Sequence, residues 1–144
     1  MRFLKRCFAA CIELSLRGLR PPLPSEPLAR FIVRESWIQN GHATLDAFLP
    51  ARDGETSTFR LTSVAEWRRL LLGRLAASAY TKGALRGHTE VPAGAVTQVH
   101  NLYTKADLLS LHVGIRGWPP SKPMQKQWAA LIASYATTFR EYGP

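Results

Sequence analysis

Apolar residues recur along the chain with two periods, one near 3.6 and one of 2, and these divide it into elements. The clearest helical stretch opens at Lys122. Met124, Trp128, Leu131, Ile132, Tyr135 and Phe139 return at steps of three and four and fall within an arc of about 100°. Ser121 stands where an N-cap belongs, and Pro123 fits a first turn, where its missing N–H removes nothing. A second helix is predicted from Ser63-Val64-Ala65-Glu66, which has the spacing of a capping box, with Val64, Trp67, Leu71 and Leu75 on one face. Both helices are expected to lay these faces on a sheet.

Strict alternation predicts the strands of that sheet. Phe31 and Val33 alternate with Arg30, Ile32 and Arg34, and Asn40-Gly41-His42 follows as a turn. Residues 44–49 read as a second strand closed by Pro50, and Arg52-Asp53-Gly54 as a further turn. Residues 56–62 read as a third strand, with Phe59 and Leu61 inward and Thr58, Arg60 and Thr62 on the other face. Residues 84–91 read as a fourth, ended by Pro92, with Arg86, His88 and Glu90 on one face. A helical turn is expected over 93–99 and a polar loop over 101–105. In the last strand Leu111, Val113 and Ile115 alternate with Ser110, His112 and Gly114, and Gly117-Trp118-Pro119-Pro120 stops it. The strands are closely spaced, so the expected fold is α+β: a small, mostly antiparallel sheet, a meander, packed by two amphipathic helices.

Residues 1–20 form a separate pattern, a basic amphipathic helix charged by Arg2, Lys5, Arg6, Arg17 and Arg20. Its apolar run is too short to span a membrane. Four prolines in residues 21–27 predict an extended linker, leaving 28–144 as the α+β domain. With 46% hydrophobic and 20% charged residues the chain belongs with globular proteins and not with disordered ones. A formal charge of +9 over 144 residues changes the picture more, because it favours a polyanionic partner such as nucleic acid. Cys7 and Cys11 lie one helical turn apart, which is neither a disulfide framework nor a zinc site, and a reducing cytoplasm is the simplest setting.

No hydrolase elbow, phosphate-binding loop, dinucleotide fingerprint or zinc-protease frame occurs in the sequence, so no metal or cofactor is expected. If the strands over 84–91 and 110–115 were neighbours, Arg86, His88, Glu90 and His112 would gather beside Lys122. Two imidazoles, a carboxylate and cations suit metal-independent cleavage of RNA, with one histidine as base and one as acid; the candidates are His88, His112 and Glu90. The favoured expectation is non-enzymatic: a nucleic-acid-binding module, or a small subunit of a nucleic-acid-handling complex. Phosphate contacts would come from Lys122, Lys126, Arg140, Arg86, Arg68 and Arg69, and Trp118 would stack on bases. A third expectation is an adaptor whose residues 1–20 dock on a protein partner.

Three stretches carry a resemblance. Asp46-Ala47-Phe48-Leu49-Pro50 is followed by Thr58-Phe59-Arg60-Leu61 and Trp67, and later by His112-Val113-Gly114-Ile115-Arg116-Gly117-Trp118-Pro119, Lys122 and Gln125-Lys126. Together they resemble a family of small uncharacterised bacterial proteins without an established activity. The resemblance implies bacterial origin and the domain limits but no reaction.

Overall fold

The computed structural model describes residues 20–107 and 111–143. The predicted helix over residues 1–20 therefore lies outside the described residues, save for Arg20. The strands are β1 (Pro27–Ile32), β2 (Ile38–Gln39), β3 (His42–Ala43), β4 (Thr56–Phe59), β5 (Gly87–Pro92), β6 (Tyr103–Ala106), β7 (His112–Arg116) and β8 (Arg140–Glu141). The helices are α1 (Glu66–Ser78), α2 (Ala93–Thr97) and α3 (Lys122–Ser134). Six strands pair in one sheet in the order β6-β7-β4-β1-β5-β8, every neighbouring pair antiparallel. The fold is α+β. It is not a meander, because β1 runs down the centre between β4 and β5.

That central place explains the sequence of β1, which is buried on both faces from Leu28 onward. Arg30 is the exception in chemistry but not in burial, at 4% exposed. β1 and β4 share a single register pair, Ala29 opposite Phe59. The Arg30 guanidinium satisfies the gap beyond it. Its Nε donates to Ala47 O at 2.6 Å, one Nη to Ser57 O at 2.9 Å, and the other to Tyr80 Oη at 3.0 Å. The Trp37 ring lies 4.9 Å from the cation.

One sheet face carries Leu28, Ile32, Val91, Val113 and Ile115, all nearly inaccessible. Thr56 and Thr58 share it, although Thr58 was expected on the outer face; Phe59 and Leu61, expected inward, also reach the core, so this strand is covered on both sides. The threonine hydroxyls are satisfied by Phe48 O at 2.8 Å and Val113 O at 2.6 Å, so two threonines sit in the core without an unpaired group. Residues 44–49, expected as a strand, instead form a 3-10 turn at Leu45–Ala47 whose Ala47 and Phe48 seal this face, and α3 packs on that turn. Ser121 caps α3 as predicted, its Oγ accepting from Met124 N at 3.5 Å. The buried side of α3 is Gln125, Trp128, Ala129 and Ile132, whereas Met124, Leu131 and Tyr135 are exposed. The buried stripe is thus rotated from the predicted one, and Ala129 lies under the helix rather than on its outer ridge.

Helix α1 lies over the other face, with Gly73 close above Phe31 and Leu85. Its sheet-facing side is Gly73, Ala76, Ala77 and Leu72, while Trp67, Leu71 and Leu75 point outward. The predicted burial of those three is thereby overturned: small residues allow close approach to the sheet, and the large ones are left outside. The capping box also fails. Ser63 has φ +61, in a turn closed by Val64 N donating to Leu61 O, and the helix begins after Ala65. The expected loop at 101–105 is largely strand β6. The turn at Asn40-Gly41 holds, with φ +51 and +74 in a two-residue hairpin between β2 and β3.

The proline-rich stretch is tied to the domain at its C-terminal end. Gly94 N donates to Pro24 O at 2.8 Å, Ala93 N to Glu26 O at 2.9 Å, and Glu26 pairs with Arg60 at 3.1 Å.

Candidate functional site

The register places Tyr103, Lys105, Asp107, His112, Gly114, Arg116, Glu55, Ser57 and Phe59 on the face that α1 partly covers. α1 sits above β1, so the β6-β7-β4 part of that face keeps solvent contact. Its centre is His112. The imidazole Nδ1 meets the Asp107 carboxylate, which only accepts, so Nδ1 carries the hydrogen and donates. Nε2 faces Ser57 Oγ at 3.0 Å and Glu55 Oε1 at 3.4 Å. Glu55 Oε2 in turn accepts from Arg116 Nε at 2.7 Å, and this raises the Arg116 pKa from its ordinary value, chiefly through that hydrogen bond. Acid and base alternate along the array, so each carboxylate has a donor against it.

Local sequence makes the array possible. Gly114 faces Ser57 across the β4–β7 ladder, and a Cβ at position 114 would sit 2.3 Å from the Glu55 carboxylate. Only a residue without a side chain lets Glu55 cross to β7 and reach both His112 and Arg116. Glu55 itself follows the Ala51–Gly54 turn, where Asp53 Oδ1 accepts from its backbone N–H at 3.1 Å. Phe59 closes one side, its ring edge-on to the imidazole with centroids 5.3 Å apart.

Asp107, His112 and Ser57 stand in the order of an acyl-transfer triad. Ser57, however, is a mid-strand residue with its backbone in the ladder, not one raised on a sharp turn, and Glu55 shares the Nε2 that would have to activate it. The array is better suited to exchanging protons between a carboxylate and an imidazole beside a cation. On its open flank Tyr103 is 51% exposed, opposite Arg116 on the ladder, and Lys105 is exposed opposite Gly114.

His88 and His112 share this face but not a site. β5 and β7 are separated by β4 and β1, and the Phe31–Phe59 ring pair lies between them at 5.1 Å. The assumed adjacency was wrong because β1 inserts centrally. His88 belongs to a second cluster, where Nδ1 meets the Tyr142 hydroxyl and Nε2 faces Glu90 Oε1 at 3.3 Å. Burial lowers the His88 pKa, against the opposing pull of Glu90, and Arg140 and Arg69 add to the lowering. Burial likewise pushes the Tyr142 phenol up to about 12. Arg69 lies 5.4 Å from the Tyr142 ring.

The remaining cations do not form one surface. Lys122 and Lys126 are exposed on α3, on the far side of the sheet from Arg68 on α1 and Arg140 on β8. Arg86 lies 4.0 Å from Glu35. Trp118 is partly buried against the core and its Nε1 donates to Ile115 O at 3.1 Å, which makes it a cover rather than an open platform. His100 stacks on Trp128, with centroids 4.7 Å apart.

Sequence reasoning missed Glu55, Ser57, Asp107, Arg116, Tyr103 and Lys105. The one local signal was parity: Tyr103 and Lys105 alternate with Thr104, and Arg116 continues the His112–Gly114 face. No protein-family profile, curated protein or solved structure matches this chain.

Proposed function

We propose that the protein binds single-stranded nucleic acid across the open β6-β7-β4 face. The observation that carries this reading is an exposed tyrosine flanked by Lys105 and Arg116 on an antiparallel sheet surface, in a chain of formal charge +9. Unstacked bases lie on such aromatic faces while cations take the phosphates, and stacking on one ring is worth about 1–3 kcal/mol per base. Fluorescence anisotropy with labelled single-stranded RNA and DNA tests it. Affinity falls steeply as salt rises, because each phosphate contact releases counterions. Tyr103→Ala and Lys105→Ala/Arg116→Ala each weaken binding, while Lys122→Ala/Lys126→Ala on the opposite side leaves it intact. Salt-indifferent affinity, or loss only in the Lys122/Lys126 variant, sinks the reading.

A second reading is favoured by the His112 array: cleavage of the bound RNA. The Glu55 carboxylate takes the proton of a ribose 2′-hydroxyl, and the freed oxygen attacks the adjacent phosphorus. The bond to the 5′-oxygen breaks, and His112, acting from its doubly protonated form, gives that oxygen the proton on Nε2 while Nδ1–H stays on Asp107; Arg116 faces the charge that builds on the phosphoryl oxygens. The products are a 2′,3′-cyclic phosphate and a 5′-hydroxyl end. Incubation of labelled RNA in EDTA with wild type, His112→Ala and Glu55→Gln decides between binding alone and cleavage. Absent or equal cleavage in wild type and variants leaves a binding protein only.

A further inference from the structure

Helix α1 turns its large apolar side chains away from the protein. Trp67, Leu71 and Leu75 are 69%, 50% and 61% exposed, at positions i, i+4 and i+8, and so form one continuous outward stripe. At 100° per residue Arg74 falls just to one side of the stripe and Arg68 to the other, both exposed, while Glu66 lies well away from it. The opposite side of the helix is already seated on the sheet through Gly73, Ala76 and Ala77, so α1 has no freedom to turn the stripe inward. Three large apolar side chains that no other described residue covers are the mark of a surface used for something else.

We infer that α1 is a docking surface for an anionic lipid bilayer, with Trp67, Leu71 and Leu75 entering the headgroup–acyl boundary and Arg68 and Arg74 meeting the lipid phosphates. Charge decides the occupant. A second copy of the chain would bring two arginine-flanked stripes together and set like charge against like. Residues 1–19 carry Arg2, Lys5, Arg6 and Arg17 against a lone Glu13, so their charge does not complement the arginine flanks. A bilayer supplies both an apolar layer and negative charge at its rim, and a tryptophan amid leucines with arginines at the sides is the composition of a helix lying in that interface.

The test uses the full chain and sedimentation with vesicles, either purely zwitterionic or with about one third anionic lipid. Wild type sediments with the anionic vesicles and not with the zwitterionic ones. The basic residues at the N-terminus contribute general attraction, so the deciding comparison is Leu71→Ser/Leu75→Ser, whose side chains are exposed and whose thermal unfolding stays unchanged. This variant loses about tenfold or more in apparent affinity, and Arg68→Gln/Arg74→Gln loses a similar factor while retaining the stripe. Tryptophan emission of the wild type shifts to the blue on adding anionic vesicles, and Trp67→Phe, at an exposed position, abolishes that shift. Equal sedimentation of wild type and the leucine variant overturns the inference. So does a wild-type dimer in solution that the leucine variant dissolves, because the stripe then belongs to a second copy.

Discussion

At the scale of single residues, the His112 array depends on the absence of a side chain at position 114. A methyl group there would overlap the Glu55 carboxylate, which is held from both sides by His112 and Arg116 and has nowhere to retreat. Gly114→Ala is therefore expected to destabilise the fold by about 1–3 kcal/mol, the usual range for an overpacked site. Chemical denaturation measures this directly. Adding Glu55→Ala to the same chain removes the obstructing group, so the pair is non-additive and the double variant regains part of the loss. Strictly additive effects would mean that the Gly114 backbone, not Glu55, sets the cost. The individual residues of this array were mostly hidden in the sequence. His112 was singled out from its place on a strand, but Glu55 and Ser57 acquire meaning only through the β4–β7 pairing, which alternation cannot reveal. Asp107 enters because the antiparallel β6–β7 pairing sets it beside His112.

At the scale of elements, strands were legible wherever one face was apolar and the other polar, as in β7, and illegible where both faces are covered. β4 places Thr56 and Thr58 in the core, and a threonine reads as polar until its hydroxyl is seen to bond within the sheet. Helix α1 failed for the opposite reason. It is apolar on both sides, and no period tells which side the protein uses; the small residues mark the close contact and the large ones the exposed stripe. β1 shows a third case, a buried arginine inside an apolar run. Arg30 bridges Ala47 O, Ser57 O and Tyr80 Oη where β1 and β4 part after a single register pair, so it stands in for ladder hydrogen bonds. Replacing it with methionine keeps most of the volume and leaves buried acceptors without donors, at a cost of about 3 kcal/mol or more. Arg30→Lys recovers only part, since an ammonium cannot reproduce the fork of the guanidinium. Urea unfolding of the three proteins checks the order; a methionine variant as stable as wild type would show that water replaces the guanidinium.

At the scale of the whole molecule, the β5–β8 edge couples stability to pH through the buried His88 and the partly buried Tyr142, which face each other. The groups around them are Glu90 on β5, Arg140 on β8 and Arg69 on α1. His88 has a lowered pKa in the folded protein, mainly from burial, so below the ordinary value of 6.5 the unfolded chain binds a proton that the folded one resists. Stability then rises with pH across that window and falls as acid is added. Tyr142 works at the other end. Its folded pKa of about 12 lies above the ordinary 10.0, so between those values the unfolded chain has released a proton that the folded one keeps, and stability falls as pH rises. The melting temperature should therefore pass through a plateau near neutrality, with one limb declining below pH 6.5 and another above pH 10. His88→Gln lowers the plateau by removing the ring from the edge but flattens the acid limb, and Tyr142→Phe flattens the alkaline limb alone. Because every carboxylate in the chain also titrates in acid, the informative quantity is the difference in slope between variant and wild type. Parallel curves for wild type and His88→Gln between pH 7 and 5 would show that the imidazole takes its proton in the folded edge as readily as in water, and that burial there is not what holds it neutral.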